Sequence, residues 1–139
     1  MDTERAARAW VEAWLTAWPS GNADALASLY DAEAVFLSHP FRTPLLGPAG
    51  AREYVRWAHE DQQAVECAFG EPIVDRDRAA VEWWAIITAR DGSQETVAGT
   101  SVIRFAPDGH VLEDCAYWAS QPGRHEPPST FDAAAHAQS

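Results

Sequence analysis

The sequence predicts an α+β fold in which helices pack on one face of a mostly antiparallel sheet. Three observations carry that prediction. Apolar side chains recur at helical spacing through the first half of the chain. From Ala64 onward the period changes from 3.6 to 2. Two Asp-Gly turn signals, Arg90-Asp91-Gly92-Ser93 and Pro107-Asp108-Gly109, then punctuate the strand-like half.

The first helix spans about residues 3–18, where Trp10, Trp14 and Trp18 fall at i, i+4 and i+8 beside Val11 and Leu15. Pro19-Ser20-Gly21-Asn22 stops it, and Asn22 can cap a second helix whose Leu26, Leu29 and Tyr30 face inward. Ala34 to Ser38 reads as a short strand, and the Pro- and Gly-rich stretch from Pro40 to Gly50 as a loop. A third helix follows from about Ala49 to Gln63, with Tyr54, Val55 and Ala58 on its buried side and the place of Trp57 left open. Four strands come next, near residues 65–75, 79–90, 94–106 and 110–120. In the second of these, Val81, Trp83, Ala85, Ile87 and Ala89 form a uniformly apolar set that belongs inside. In the third the inner set is Val97, Gly99, Ser101, Ile103 and Phe105. Pattern alone leaves the last strand open between Leu112/Asp114/Ala116/Trp118 and Val111/Glu113/Cys115/Tyr117. One domain over residues 1–121 and a flexible tail over 122–139, rich in Pro at first and then in Ala, complete the layout.

Composition narrows the chemistry. Among 139 residues, all 10 basic side chains are Arg, against 21 acidic ones, for a net charge of −11. A chain without Lys has no Schiff-base nucleophile, no pyridoxal-phosphate anchor and no phosphate loop of the Lys-containing type. The negative balance argues against nucleic acid or an anionic membrane as partner, since phosphate recognition needs a basic stripe. Met1-Asp2-Thr3-Glu4-Arg5 lacks the form of a signal peptide, and the uncharged stretch from Ala13 to Ala23 is too short to span a bilayer. The expected location is the cytoplasm. Cys67 and Cys115 have no paired spacing and read as reduced thiols. The His residues at 39, 59, 110, 125 and 136 lack metal-ligand spacing, so neither a metal nor an organic cofactor is expected. His59-Glu60-Asp61 reads as a solvated helix end.

Several motifs then carry a resemblance. They are Trp14-Leu15-x-x-Trp18, Leu26-x-x-Leu29-Tyr30-Asp31-x-x-Ala34-Val35-Phe36, Ser38-His39-Pro40-Phe41, Gly47-Pro48-Ala49-Gly50-x-x-Glu53-Tyr54 and Val81-Glu82-Trp83-Trp84. Gly99-Thr100-Ser101-Val102-Ile103-Arg104-Phe105, running through Asp108-Gly109-His110-Val111 to Tyr117-Trp118, completes the set. Over about residues 5–120 the chain resembles the SnoaL-like branch of the nuclear transport factor 2-like superfamily. The resemblance implies a cone-shaped roll: a curved, mostly antiparallel sheet wrapped around three N-terminal helices, with an apolar cavity inside. It also implies a dimer through the outer sheet face, where Trp84 and Ile86 are apolar and call for a cover. Burial under the C-terminal tail is the alternative cover.

Ketosteroid isomerases of this superfamily place a general base where His39 stands, and oxyanion donors where Trp14 and Ser101 stand. The polyketide cyclases of the SnoaL-like branch use an acidic residue on the last strand, matched here by Asp114, which favours the Leu112/Asp114/Ala116/Trp118 face as inner. The candidate catalytic pair is therefore His39 and Asp114. The candidate substrate-binding residues are Trp14, Tyr54, Trp83, Ser101, Phe105 and Trp118, an aromatic wall suited to a flat, largely apolar ligand. A carboxyl in such surroundings is raised in pKa and can exchange protons next to a carbonyl. Arg42 and Arg52, near the expected mouth, would hold a carboxylate or phenolate, or else form surface ion pairs. The leading expectation is a cofactor-free isomerase, cyclase or dehydratase acting on an aromatic or polycyclic carbonyl compound. A non-catalytic binder of an apolar ligand, and a structural dimer or accessory protein, are the alternatives.

Overall fold

The structure is a computed structural model that describes residues 2–60 and 62–135. Helix α1 (Thr3–Ser20) starts at Asp2, whose carboxylate accepts from the Arg5 N–H at 3.1 Å. Its three Trp rings stack along one face, with centroids 6.0 and 5.9 Å apart. A short α2 (Asp24–Ala27) leads into β1 (Tyr30–Leu37). Strand β2 (Leu45–Leu46) and helix α3 (Gly47–Glu60) follow. The remaining strands are β3 (Gln62–Phe69), β4 (Ile73–Asp75), β5 (Arg78–Ala89), β6 (Gln94–Phe105), β7 (Val111–Pro122) and β8 (Asp132–Ala135).

Among the described residues these strands form one sheet in the order β2-β1-β7-β6-β5-β3-β8, with β4 paired to β5. All neighbours are antiparallel except β1 and β7, which run parallel and place Phe36 beside Asp114. The sheet curls strongly into an α+β cone, with α1 packed on β3, β5 and β6 and α3 on β1 and β2. The two Asp-Gly turns have Gly92 and Gly109 at φ +87° and +91°, the left-handed region their sequence calls for. Gly99, opposite Trp118, has no space for a Cβ against the Tyr117 carbonyl and the Trp118 side chain, so β6 and β7 approach closely at the cone wall. Among the described residues no helix is long and apolar enough to cross a membrane.

Several boundaries differ from the sequence reading. The second helix ends at Ala27, and Tyr30 opens a strand instead of closing a helix, because Tyr30 pairs with Val111 on β7. The third helix begins at Gly47, and its Trp57 is 55% exposed. The long strand expected near 65–75 divides into β3 and β4. His59 is half-buried, with Nε2 3.3 Å from the Pro19 carbonyl, so it is not simply solvated. Asp61 and His136 lie outside the described residues.

The stretch 122–139 is more structured than a flexible tail over its described part. Asp132–Ala135 pairs antiparallel with β3, and the chain before it lies on the outer sheet face. There the Trp84 indole donates to the His125 carbonyl at 2.7 Å, and the Thr96 hydroxyl to the Gly123 carbonyl at 2.8 Å. Ile86 is 2% exposed within this single chain, and Trp84 is half-buried. Residues 136–139 lie outside the described residues.

Candidate active site

Strand β7 presents Asp114, Ala116 and Trp118 toward the helices, which resolves the choice the pattern left open for these three, while Leu112 is half-buried at a register shift and does not join the core. Val111 is also fully buried, because a register shift between Arg104 and Phe105 turns it inward. Asp114 is 1% exposed. Its Oδ2 accepts from the Tyr30 hydroxyl at 2.5 Å and from the Trp10 indole N–H at 3.2 Å. That indole is also 3.3 Å from the Tyr30 oxygen, so the three side chains form one buried cluster drawn from α1, β1 and β7. Oδ1 has no hydrogen-bond partner.

The cluster faces a cavity of about 30 Å³ lined by Trp10, Trp14, Trp18, Phe36, Ser38, Tyr54, Phe69, Trp83, Ser101, Asp114, Ala116 and Trp118. That is room for a water or two, and smaller than the ~150 Å³ known to admit benzene. Its walls interlock edge to face: Trp18 against Trp83 at 5.5 Å and Phe36 against Tyr54 at 5.1 Å. Trp83 donates to the Ser101 hydroxyl at 3.0 Å. The indole N–H groups of Trp14 and Trp18 are buried with no acceptor.

These surroundings set the electrostatics. Burial raises the Asp114 carboxyl from 3.8 to about 6, against the opposing pull of the Tyr30 and Trp10 hydrogen bonds. Tyr30 is held well above its ordinary value, first by burial and then by the Asp114 charge, so it stays a donor. Tyr54 is raised by burial and by Asp114, while the charge of Arg42 lowers it. A carboxyl near neutrality that lines an aromatic cavity, with one oxygen fixed and the other buried without a partner among the described residues, can accept and return a proton.

The structure brings Asp114, Trp14, Tyr54, Trp83, Ser101 and Trp118 to one cavity. It does not bring His39 there. His39 sits in the loop after β1, its Nδ1 accepting from the Phe41 N–H at 3.3 Å and its ring edge-on to Trp118 at 5.0 Å. The inward face of Trp118 lines the cavity, so His39 stands behind that wall. Phe105 is 2% exposed in the core and does not line the cavity. Trp10 and Trp18, which helical spacing assigns to core packing, do line it. Sequence reasoning missed Tyr30 as the carboxylate's partner. The signal was present in Leu29-Tyr30-Asp31, but placing it beside Asp114 requires the parallel β1–β7 pairing, which no local pattern announces. Among the described residues no three His, Cys, Asp or Glu side chains converge as a metal site.

Known structures share this architecture. One is a nuclear transport factor 2-like protein of unknown function from Exiguobacterium sp. 255-15, at 19% identity and a TM-score of 0.69, covering 82% of this chain and 98% of that one. Another is SalBIII, an epoxide hydrolase/cyclase-like enzyme of pyran ring formation in the polyether salinomycin, at 18% identity and a TM-score of 0.71, covering 85% and 93%. A third is a hypothetical protein with a ketosteroid isomerase-like fold from Catenulispora acidiphila DSM 44928, in complex with trimethylamine, at 18% identity and a TM-score of 0.69, covering 79% and 85%. At these identities the likeness is one of fold. No protein of curated function matches the sequence. The SnoaL-like domain model matches residues 11–113, stopping one residue before Asp114. With most of its length so matched, the chain belongs to the SnoaL-like domain family.

Proposed function

We propose that this protein is a cofactor-free acid/base enzyme of the isomerase, cyclase or dehydratase type, acting on an aromatic or polycyclic carbonyl compound. The observation that supports it best is the state of Asp114: buried at the wall of an aromatic cavity, near neutrality, with Oδ1 unpartnered among the described residues. Asp114 takes a proton from carbon next to the substrate carbonyl and returns it at another position. Tyr30 and Trp10 hold the carboxylate in place. The free indole N–H of Trp14 is the donor closest in chemistry to an oxyanion partner, with the Ser101 hydroxyl beside Trp83 as a second. His39 packs against Trp118 from outside the cavity and so steadies its wall, with no part in the proton transfer.

The cavity is narrow, so a polycyclic substrate presents one edge to Asp114, and Tyr54 and Trp118 turn aside to admit it. That narrowness also supports a second reading, a structural or accessory protein whose cone is nearly filled by its own aromatics. The two part on proton exchange. With 2-tetralone in deuterated buffer, the wild-type protein should speed exchange at carbon next to the carbonyl, with a rate rising through pH ~6 as Asp114 ionises. Asp114→Asn should abolish the effect, and His39→Ala should weaken it less. Wild-type exchange no faster than that of Asp114→Asn would remove the enzymatic reading. We further propose a homodimer through the outer sheet face and a cytoplasmic location.

A further inference from the structure

Arg42 and Arg52 were equal candidates in the sequence, and the structure separates them. Arg52 lies 3.5 Å from the Asp24 carboxylate. Arg8, Arg56, Arg78, Arg104 and Arg124 likewise sit within 4.0 Å of carboxylates. Arg42, among the described residues, forms no ion pair, although Glu53 lines the same groove. Its guanidinium is instead placed between two indoles, 5.1 Å from the centroid of Trp57 and 5.2 Å from that of Trp118. One N–H donates to the Ser38 hydroxyl at 3.1 Å, and among the described residues the fork has no carboxylate partner.

This guanidinium borders a groove of about 180 Å³ lined by Ser38, Arg42, Thr43, Leu45, Glu53, Tyr54 and Trp57. Ser38 and Tyr54 are walls of both this groove and the Asp114 cavity, and Trp118 joins the two from the other side. Tyr54, a wall of both spaces, responds to both charges, Arg42 lowering its pKa and Asp114 raising it. At the inner end, Asp114 Oδ1 is buried without a partner. The two compartments thus place a planar cation on one side of a shared Ser38/Tyr54 wall and an unpaired carboxyl oxygen on the other.

We propose that Arg42 is the anion-binding, specificity-determining residue of a two-compartment site, and that the ligand is an aryl compound carrying a carboxylate or ionised phenol. The anionic oxygen pairs with the Arg42 fork, and the ring passes Tyr54 and Trp118 toward Asp114. An arginine held by two aromatic faces loses little rotamer freedom when it binds, and its fork matches a carboxylate edge to edge. In a chain of net charge −11 an unpaired arginine supplies local attraction that the overall charge opposes. The inference rests on the acid/base reading for its inner end only.

The test is calorimetric titration of the full chain at pH 7 and 0.15 M salt with two probes of matched shape, phenylacetate and phenylacetamide. Phenylacetate should bind about tenfold more tightly, as expected for a charge-assisted pair at a half-open site. Arg42→Gln should bring the two affinities together by weakening phenylacetate more than phenylacetamide, and Arg42→Lys should keep part of the preference. A preference that survives Arg42→Gln, or wild-type protein that binds neither probe, overturns the proposal. Asp114→Asn should keep the preference for the anion even as it abolishes proton exchange, so the anion site and the acid/base reading can fail separately.

Discussion

At the scale of single residues, the account turns on how a carboxyl is held inside an apolar wall. Burying a carboxylate without partners costs far more than burying a hydroxyl, and the group responds by keeping its proton. Asp114 is held between these limits: two donors reach Oδ2 and none reaches Oδ1. Tyr30 is the stronger of the two donors, at 2.5 Å against 3.2 Å for Trp10. Tyr30→Phe removes a bond that favours the ionised form, so the midpoint of the exchange profile should move upward by about one pH unit. An unchanged midpoint in that variant would show that Tyr30 does not tune the carboxyl. The sequence places Asp114 correctly once the last strand is aligned. It does not show Tyr30 as its partner, because their contact bridges β1 and β7.

At the scale of elements, local rules read the long helix and the meander well and the crossover region poorly. The Trp spacing of α1 and the Asp-Gly turns of β5–β6 and β6–β7 are set by near neighbours in sequence, so periodicity and turn chemistry suffice. Residues 24–46 are different. Tyr30–Leu37 gains its strand character from a parallel partner more than seventy residues away, and α2 is cut to Asp24–Ala27 as a result. His39 follows from the same region: the loop that carries it leaves β1 behind Trp118, and adjacency to Pro40 does not report on which side of a wall a side chain lies. The outer face of β5–β7 shows a related shift. Ile86 is buried within the chain, and the exposed apolar groups of that face are Val102 and Tyr117, 36% and 52% exposed. The proposed dimer therefore centres on these two residues. Sedimentation should give twice the monomer mass for the wild-type chain and the monomer mass for Val102→Arg, without loss of thermal stability. A monomeric wild-type chain at tens of micromolar would contradict it.

At the scale of the whole molecule, composition excludes more than it identifies. The absence of Lys and the net charge of −11 remove whole classes of chemistry, while the seven Trp residues shape the site. Five of the seven, Trp10, Trp14, Trp18, Trp83 and Trp118, line the cavity together. Periodicity identifies such residues as inward but does not distinguish a filled core from a lined cavity, since both need apolar side chains on the same face. The Asp114 cluster also leaves its mark on global stability. A carboxyl raised from 3.8 to about 6 favours the folded state fully below pH ~4, and loses that contribution as pH rises through 6. The loss amounts to about 3 kcal/mol. Glu66, held low by Arg124, and Asp91 and Asp108, held low by turn hydrogen bonds, work in the opposite direction at lower pH, but equally in any Asp114 variant. The direct measurement is denaturant unfolding of the wild type and of Asp114→Asn between pH 4 and 7. The wild type should lose about 2–3 kcal/mol relative to the variant across that interval, half of it by pH ~5 and most of it by pH ~6. A difference that stays constant with pH, or one in which the wild type gains stability as pH rises, would contradict a buried carboxyl poised for proton transfer.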